Sequence, residues 1–299
     1  MRLLSRFIPV LATATALGLA LSASASTPFF QPLHEPPTGE QHPGKVIWAD
    51  LFTANAPAAT KFYSGLFGWT ANVVEQRGRA YTVFSNGSRP VAGLVARQSR
   101  DLKRPSRWIS YIAVADVNAS LALVTKAGGK VRAPARDFPG RGRQAIITDP
   151  EDSPVGLLQS TSGDTPDTEP QPGDWNWFEL FAQKPADAGA FYGQVFGYAA
   201  AADTRTERKD DYLLSSGELP RAGIAPLPER DDAKPGWVCV VRVESIDEAV
   251  KRVPALGGEV LVTPRPAAYG SRFAIIADST GGTLGLVEYV DHANPATRP

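Results

Sequence analysis

The stretch WADLF at residues 48–52, followed by KFYSGLFG at 61–68, returns later in the chain as WFELF at 177–181 and AFYGQVFG at 190–197. Both pieces recur at a single offset of 129 residues, and at that offset Trp108 and Asp149 are matched by Trp237 and Asp278. A fixed period of this length is typical of a duplicated domain. The sequence therefore predicts two copies of one domain, and a functional residue in one copy has a counterpart to compare in the other.

Length and composition set broad bounds on the protein. The chain has 299 residues, enough for two domains, and 43% hydrophobic with 21% charged residues is typical of a soluble globular protein. Its 31 basic and 31 acidic residues balance, without a basic stripe that would neutralise phosphates, so we expect no nucleic-acid partner. Cys239 is the only cysteine, which excludes an internal disulfide. Its alternating surroundings predict a buried strand residue rather than a nucleophile, because no histidine lies near it in sequence.

The first 25 residues have the pattern of a secretory signal peptide. Arg2 and Arg6 precede a short apolar run at 7–21, and small residues at 23–25 form a cleavage site. A membrane anchor is the alternative, but threonines interrupt the run and a spanning helix needs about 20 apolar residues. We expect cleavage near Ala25 and a periplasmic or secreted protein with no membrane anchor afterwards.

Composition also divides the remainder of the chain. Residues 26–44 are rich in proline and polar residues and lack any period, while 161–173 form a polar linker without apolar residues. The predicted organisation is a signal peptide at 1–25, an extended leader at 26–44, domain 1 at 45–160, a linker at 161–173, domain 2 at 174–290 and a tail at 291–299.

Each domain contains a smaller repeated unit. In domain 1 an apolar strand from Val46 precedes a helix that Asn55 can cap and Gly68 can end, and three strand-like runs follow. The same order returns with a helix that starts at Val117. The sequence predicts an α+β fold of two tandem domains, each with two β-α-β-β-β units. In the last helix, Pro254 is predicted to kink or shorten the element. Whether units pair within one domain or between domains stays open.

Three motifs point to a known family: FYSGLFGW at 62–69, the glycine pair at 128–129, and RQAIITD at 143–149. With the repeated unit, they resemble the vicinal oxygen chelate superfamily, which includes glyoxalase I, extradiol dioxygenases, and fosfomycin and bleomycin resistance proteins. The resemblance is to tandem glyoxalase-like members and covers nearly all of the expected mature chain. It implies that the sheets of two units curl around a shared cavity. Family enzymes hold a divalent metal ion there with His, Gln or Glu, although the scaffold alone does not determine an activity.

The resemblance places those ligands on the first and last strands of a unit. In this chain the corresponding positions carry Trp48, Trp177, Ile109, Val238, Gly93, Gly156, Gly223 and Gly285. None of these side chains offers the oxygen or nitrogen donor that such metals need. The three histidines, His34, His42 and His292, lie in the leader and tail. We therefore predict no metal ligand and no other cofactor.

Two carboxylates are the candidate catalytic residues. Asp50 shares a strand face with Trp48 and Phe52, and Glu179 shares the equivalent face with Trp177. If this face lines the cavity, each carboxylate lies beside an indole in apolar surroundings, which raise its pKa and suit a general acid or base. The alternative is that both carboxylates are solvated at strand ends or bonded to arginines.

Aromatic and basic residues are the candidate ligand-binding residues. Trp48, Trp108, Trp177 and Trp237 could form flat walls for a planar or apolar molecule, although matched aromatic residues also fill cores. Arg143 and Arg272 could hold an anion or instead pair with surface carboxylates. The run Gly140-Arg141-Gly142 is not a phosphate loop, because no helix follows it.

Three functions fit these residues. The first is an exported protein that binds a small organic ligand in metal-free cavities. The second is a metal-independent isomerase or lyase with Asp50 or Glu179 as its base, and the third is a metal-dependent lyase or dioxygenase with atypical ligands. The sequence does not fix the oligomeric state or say whether both cavities function.

Overall fold

The computed structural model describes residues 30–76, 79–97, 104–206, 208–229, 233–267 and 270–289. The predicted signal peptide and tail lie outside these ranges. Among the described helices, none combines the length and the apolar composition that crossing a bilayer requires.

Domain 1 has the predicted β-α-β-β-β order twice. Its elements are β1 Val46–Thr53, α1 Ala56–Phe67, β2 Thr70–Gln76, β3 Arg79–Asn86, β4 Arg89–Ala96, β5 Arg107–Ala113, α2 Val117–Lys126, β6 Lys130–Phe138, β7 Gly142–Thr148 and β8 Pro154–Ser160.

Domain 2 repeats the same order. Its elements are β9 Trp175–Ala182, α3 Pro185–Phe196, β10 Ala199–Ala202, β11 Tyr212–Ser216, β12 Leu219–Pro226, β13 Gly236–Arg242, α4 Ile246–Ala255, β14 Glu259–Pro266, β15 Arg272–Ala277 and β16 Thr283–Glu288. The α+β class and the two tandem domains are thereby confirmed.

Each domain builds its own eight-stranded mixed sheet. The strand orders are β2-β3-β4-β1-β5-β8-β7-β6 and β10-β11-β12-β9-β13-β16-β15-β14, so units pair within a domain. Sheet 1 is strongly curled. Phe30 packs within 4.6 Å of the Tyr81 ring on β3 and 4.7 Å of the Phe138 ring on β6, measured between ring centroids. Six strand spacings separate β3 from β6, about 29 Å in a flat sheet, so only a curled sheet brings them to one residue.

Local sequence explains where the helices begin and end. The Asn55 side chain accepts a hydrogen bond from the backbone N–H of Ala58, and Gly68 ends α1 with φ of 72°. Pro254 does not shorten α4, which has 10 residues like α2. The predicted shortening was wrong because Pro254 lies in the last turn, where the helix ends one residue later and little hydrogen bonding remains to be lost.

The helices and the sheet faces that carry them share one hydrophobic core across both domains. Helix α1 packs against α4 of the other domain, and α2 packs against α3. Cys239 is buried in this core on β13, which confirms its prediction as an apolar strand residue. The opposite faces of the two sheets, which point away from the helices, are therefore the ones free to form cavities.

The linker is fastened to both domains by ion pairs. Asp167 lies between Lys45 of domain 1, at 2.8 Å, and Arg221 of domain 2, at 2.6 Å. The hydrogen bonds from Arg221 and Lys45 hold the pKa of Asp167 well below its usual range. The segment thus contributes charged contacts where its sequence has no apolar residue to bury.

Candidate functional site

In domain 1, the face of the sheet away from the helices carries a buried polar cluster around Asp50. The Asp50 Oδ1 atom accepts hydrogen bonds from Trp48 Nε1 at 2.8 Å and from the Tyr81 hydroxyl at 2.6 Å, and Tyr111 also bonds to this carboxyl group. Asp50 is only 2% exposed. Burial raises its pKa, while nearby Arg141 and the donated hydrogen bonds act in the opposite direction. Three side chains of domain 1 therefore hydrogen-bond this carboxyl group.

Arg141 closes the cluster from the β6–β7 turn. Its guanidinium carbon lies 4.1 Å from the centroid of the Trp48 ring, and the residue is only 1% exposed. The leader covers what is left of this face, because Phe30 and Leu33 are buried in the same apolar cluster as Tyr111. Domain 1 thus has a filled cavity.

In domain 2, the equivalent face is more open. Trp177 Nε1 donates to Glu179 Oε2 at 2.7 Å, and both residues are only partly buried. Phe181 and Phe273 are partly buried on the same side. Arg205 lies over the indole of Trp177, with 5.4 Å from the guanidinium carbon to the ring centroid. Within the described residues, the buried apolar cluster of domain 1 has no counterpart on this face.

The two carboxylates differ because their surroundings have diverged between the copies. Val83 lies opposite Gly93 in domain 1, and Leu213 lies opposite Gly223 in domain 2, so Val83 and Leu213 are equivalent. Two residues earlier in the sequence, Asp211 therefore stands where domain 1 has Tyr81. At the offset of 129, Val240 replaces Tyr111 and Gly270 replaces Arg141. Domain 2 thus lacks both tyrosines at these positions, while an arginine from another position, Arg205, lies over the indole of Trp177.

This loss of partners is reflected in the acidity of Glu179. Burial raises its pKa to about 7, the Trp177 hydrogen bond opposes the shift, and the carboxylate of Asp211 adds to it. A carboxyl group with this pKa exists in both protonation states near neutral pH. It can accept a hydrogen bond or a proton from a bound molecule.

The donor set on these faces does not fit the metal site that the family resemblance implies. The four glycines on β4, β8, β12 and β16 stand where the family has glutamates, and neighbouring side chains fill the space beside them. A Cβ atom at Gly93 would lie 1.9 Å from the Tyr81 hydroxyl, and one at Gly223 would lie 2.3 Å from Glu179 Oε2. No cluster of three or more His, Cys, Asp or Glu suited to a metal ion occurs among the described residues. The described part of this site therefore offers no set of ligands for the metal ion that the family holds.

Two of the predicted ligand-binding tryptophans lie elsewhere. Trp108 and Trp237 are buried on the helix side of their sheets, where they donate hydrogen bonds to the hydroxyls of Tyr63 and Tyr192 at 2.9 and 2.8 Å. Their prediction as cavity walls is corrected: strand alternation puts Tyr111, not Trp108, on the cavity side of β5.

The predicted arginines are surface residues. Arg143 pairs with Asp137 at 2.7 Å, and Arg272 pairs with Asp247 at 2.7 Å. These pairs confirm the alternative that both arginines pair with surface carboxylates, whereas the idea that arginines such as these bond Asp50 and Glu179 is corrected. The alternation along β7 and β15 directs these side chains toward the helix N-termini near Asn118 and Asp247.

Tyr81, Tyr111 and Arg141 are not among the site residues that the sequence predicts. A signal was present, because each is a polar residue that the second copy replaces with a different chemical type. In the sequence, Arg141 stands out only as part of a glycine-rich loop. Its burial depends on the leader and on Trp48, which lie far away in sequence.

Comparisons with known proteins agree with the fold. The model of the Glyoxalase/Bleomycin resistance protein/Dioxygenase superfamily matches residues 45–155 and 175–286. The anthracycline biosynthesis protein DnrV of Streptomyces peucetius is 32% identical over 260 residues, which cover 82% of this chain and 94% of DnrV. The CFP32 protein of Mycobacterium tuberculosis is 30% identical, covering 85% of this chain and 98% of CFP32.

Solved structures share the architecture at low sequence identity. The Mn(II)-bound glyoxalase from Novosphingobium aromaticivorans is 16% identical, with a TM-score of 0.57 over 83% of each chain. The 2,3-dioxygenase LapB from Pseudomonas sp. KL28 is also 16% identical, with a TM-score of 0.54 over 86% of this chain and 95% of LapB. The matches to both halves, with the duplicated β-α-β-β-β sheets, show that this chain belongs to the Glyoxalase/Bleomycin resistance protein/Dioxygenase superfamily.

Proposed function

We propose that the face of the domain 2 sheet that carries Trp177 and Glu179 binds a small, planar organic molecule without a metal ion, and that Glu179 accepts a hydrogen bond from it. The observation that carries this proposal is the partly exposed Trp177–Glu179 pair, whose carboxyl group has lost the partners that occupy Asp50. The partly buried rings of Trp177, Phe181 and Phe273 offer flat apolar surface. An aromatic ligand with a hydroxyl group matches both features.

The similarity to DnrV supports this ligand class. DnrV is named as an anthracycline biosynthesis protein, and an anthracycline is a compound of fused aromatic rings that carry hydroxyl groups. The alignment covers 82% of this chain, so it includes residues of both domains. We propose a ligand of the same kind, an aromatic molecule with a hydroxyl group, for domain 2.

Calorimetric titration with 2-naphthol tests the proposal. We expect Glu179→Gln to weaken binding by about 10-fold or more, because a hydrogen bond to a charged group contributes about 1.5–3 kcal/mol. The matched control is Asp50→Asn, the same kind of change at the repeated position, which should leave affinity unchanged because that cavity is filled by the leader. 2-Methoxynaphthalene, which lacks the donor, should bind weakly to wild type and variant alike. Equal affinity of wild type and Glu179→Gln for 2-naphthol would refute the proposal.

A second candidate function is metal-independent proton abstraction with Glu179 as the general base. The pKa of about 7 favours this role, because a base is most effective when its pKa lies near the working pH. Deuterium exchange at the carbon next to the carbonyl of 2-tetralone, followed by NMR, tests it. A true base predicts exchange that falls at least 100-fold in Glu179→Gln while affinity for the ketone largely survives. No exchange above the buffer rate would leave binding alone as the function.

Export belongs to the same proposal. The signal-like pattern of residues 1–25 supports a periplasmic or secreted location. Terminal sequencing of protein recovered outside the cytoplasm should find a chain that starts near Ser26. An intact Met1 in that fraction would contradict cleavage.

A further inference from the structure

The leader occupies the domain 1 cavity as a ligand would. The Phe30 ring lies 4.6 Å from the Tyr81 ring and 4.7 Å from the Phe138 ring, nearly at right angles to the latter. These two rings stand on opposite flanks of the curled sheet, so Phe30 bridges the space between them. Leu33 is buried in the same cluster. An apolar pocket of aromatic size therefore exists beneath the leader.

Arg141 contacts the leader with only part of its hydrogen-bonding capacity. Its Nε atom donates to the backbone carbonyl of Gln31 at 2.9 Å. Its Nη2 atom is buried, and no acceptor among the described residues reaches it. Nε and Nη2 form one edge of the guanidinium, and that edge matches the two oxygens of a carboxylate. A peptide carbonyl supplies only one of the two oxygens that this edge can bind.

We propose that the domain 1 cavity is a latent binding site for an aromatic carboxylate, and that Phe30 and Gln31 occupy it as an internal substitute. The Phe30 ring takes the place of the ligand's ring, and the Gln31 carbonyl takes the place of one carboxylate oxygen. Gly270 stands at the repeated position of Arg141, so the site is specific to domain 1 and does not depend on Glu179.

The neighbouring carboxyl group is compatible with an anionic ligand. Burial raises the pKa of Asp50, which favours its uncharged form, and hydrogen bonds from Trp48 and Tyr81 already engage one of its oxygens. The guanidinium of Arg141 lies over the indole of Trp48 and is thus held beside the pocket.

The leader can leave the pocket without leaving the protein. Its later residues are attached to the linker: Thr38 N donates to Ser162 O at 2.9 Å, and His42 N donates to Asp164 Oδ2 at 2.6 Å. Nearer the pocket, the Leu33 amide donates to Ser162 Oγ at 2.9 Å. A ligand must compete with Phe30 and Leu33, so its apparent affinity for the wild type is lowered by the fraction of chains with a filled pocket.

Calorimetry with 2-naphthoate tests the latent site. The full-length chains that are compared all carry Glu179→Gln, so binding through Glu179 in domain 2 does not contribute to the difference between them. We expect Phe30→Ala with Leu33→Ala to bind 2-naphthoate at least 10-fold more tightly than the chain with the native leader. Adding Arg141→Gln should abolish that gain, and the neutral 2-methoxynaphthalene should show a smaller one. A folded double variant whose affinity for 2-naphthoate is unchanged would overturn the proposal.

Hydrogen exchange on the wild-type chain provides a test that needs no destabilising variant. Saturating 2-naphthoate should accelerate exchange of the Leu33 amide by at least several-fold, because displacement of the leader breaks its bond to Ser162. Unchanged or slower exchange at Leu33 at saturation contradicts displacement.

Discussion

At the scale of single residues, the two copies show how surroundings determine the chemistry of one repeated pair. Trp48 with Asp50 and Trp177 with Glu179 make the same indole-to-carboxyl hydrogen bond, at 2.8 and 2.7 Å. In domain 1, tyrosine hydroxyls and an arginine complete the carboxyl group's contacts. In domain 2, Asp211 replaces one of those tyrosines and offers its carboxylate rather than a hydroxyl donor, so the carboxyl group of Glu179 has fewer hydrogen-bond donors around it than that of Asp50.

The raised pKa of Glu179 predicts a pH-dependent stability. The unfolded chain ionises this group near pH 4.5 and the folded chain near pH 7, so the stability present at low pH is lost as pH rises through this window. The full pKa shift corresponds to a change of about 3 kcal/mol in the free energy of unfolding, and the partial contact of Glu179 with water makes the actual change smaller. We expect Glu179→Gln to gain stability over wild type between pH 5 and pH 8 in thermal unfolding.

The control for this prediction is Glu218→Gln, at an exposed glutamate in the turn before β12. Its stability should follow the wild-type pH dependence. If the stability of Glu179→Gln also runs parallel to that of the wild type across this pH range, Glu179 is not buried enough for its pKa to be raised.

At the scale of elements, glycines on the fourth strand of each unit make room for side chains from neighbouring strands. Gly93 on β4 lies opposite Asp50 on β1 and Val83 on β3, and Gly156 on β8 lies opposite Tyr111 on β5. The sequence showed that these positions lack the family's glutamate. The structure supplies the physical reason, because Tyr81, Asp50 and the Tyr111 ring occupy the volume beside Gly93 and Gly156.

Gly93→Ala should therefore be costly. The added methyl group would overlap the Tyr81 hydroxyl and Asp50 Oδ1, so the hydrogen bond between them must break or shift. We expect a loss of about 2–4 kcal/mol in urea unfolding, from overpacking together with an unsatisfied buried group.

Gly236→Ala at the start of β13 is the matched control. A Cβ atom there meets nothing within 4 Å, so its effect should stay within about 0.5 kcal/mol. Similar losses for Gly93→Ala and Gly236→Ala would mean that glycine in a strand, rather than the filled volume, determines the cost.

At the scale of the whole molecule, the duplicated domains exchange equivalent hydrogen bonds. The Tyr63 hydroxyl of domain 1 donates to Asp278 of domain 2 at 2.6 Å, and the Tyr192 hydroxyl donates to Asp149 of domain 1 at 3.1 Å. Each hydroxyl also accepts from an indole of its own domain, Trp108 or Trp237. These contacts lie within the shared apolar core, so the two domains should unfold together.

Coincident urea transitions by tryptophan fluorescence and far-ultraviolet circular dichroism would demonstrate this cooperativity. Tyr63→Phe should lower the free energy of unfolding by about 1–3 kcal/mol, because it leaves a buried indole N–H and a buried carboxylate each without the hydroxyl. Tyr289→Phe, at an exposed tyrosine, is the control and should change stability by less than about 0.5 kcal/mol. Two separate transitions would contradict a shared core.

The sequence by itself determined the duplication, the order of strands and helices, and the common face of Trp48, Asp50 and Phe52. These features depend on neighbours within a few residues, where spacing and capping act directly. Only the tertiary structure decided that Trp108 and Trp237 join the shared core and that Arg143 and Arg272 pair at the surface. It alone showed that the leader fills domain 1 while Glu179 stays accessible. Burial and pKa depend on residues such as Phe30, Tyr81 and Arg141, which come together only when a curled sheet brings distant segments into contact.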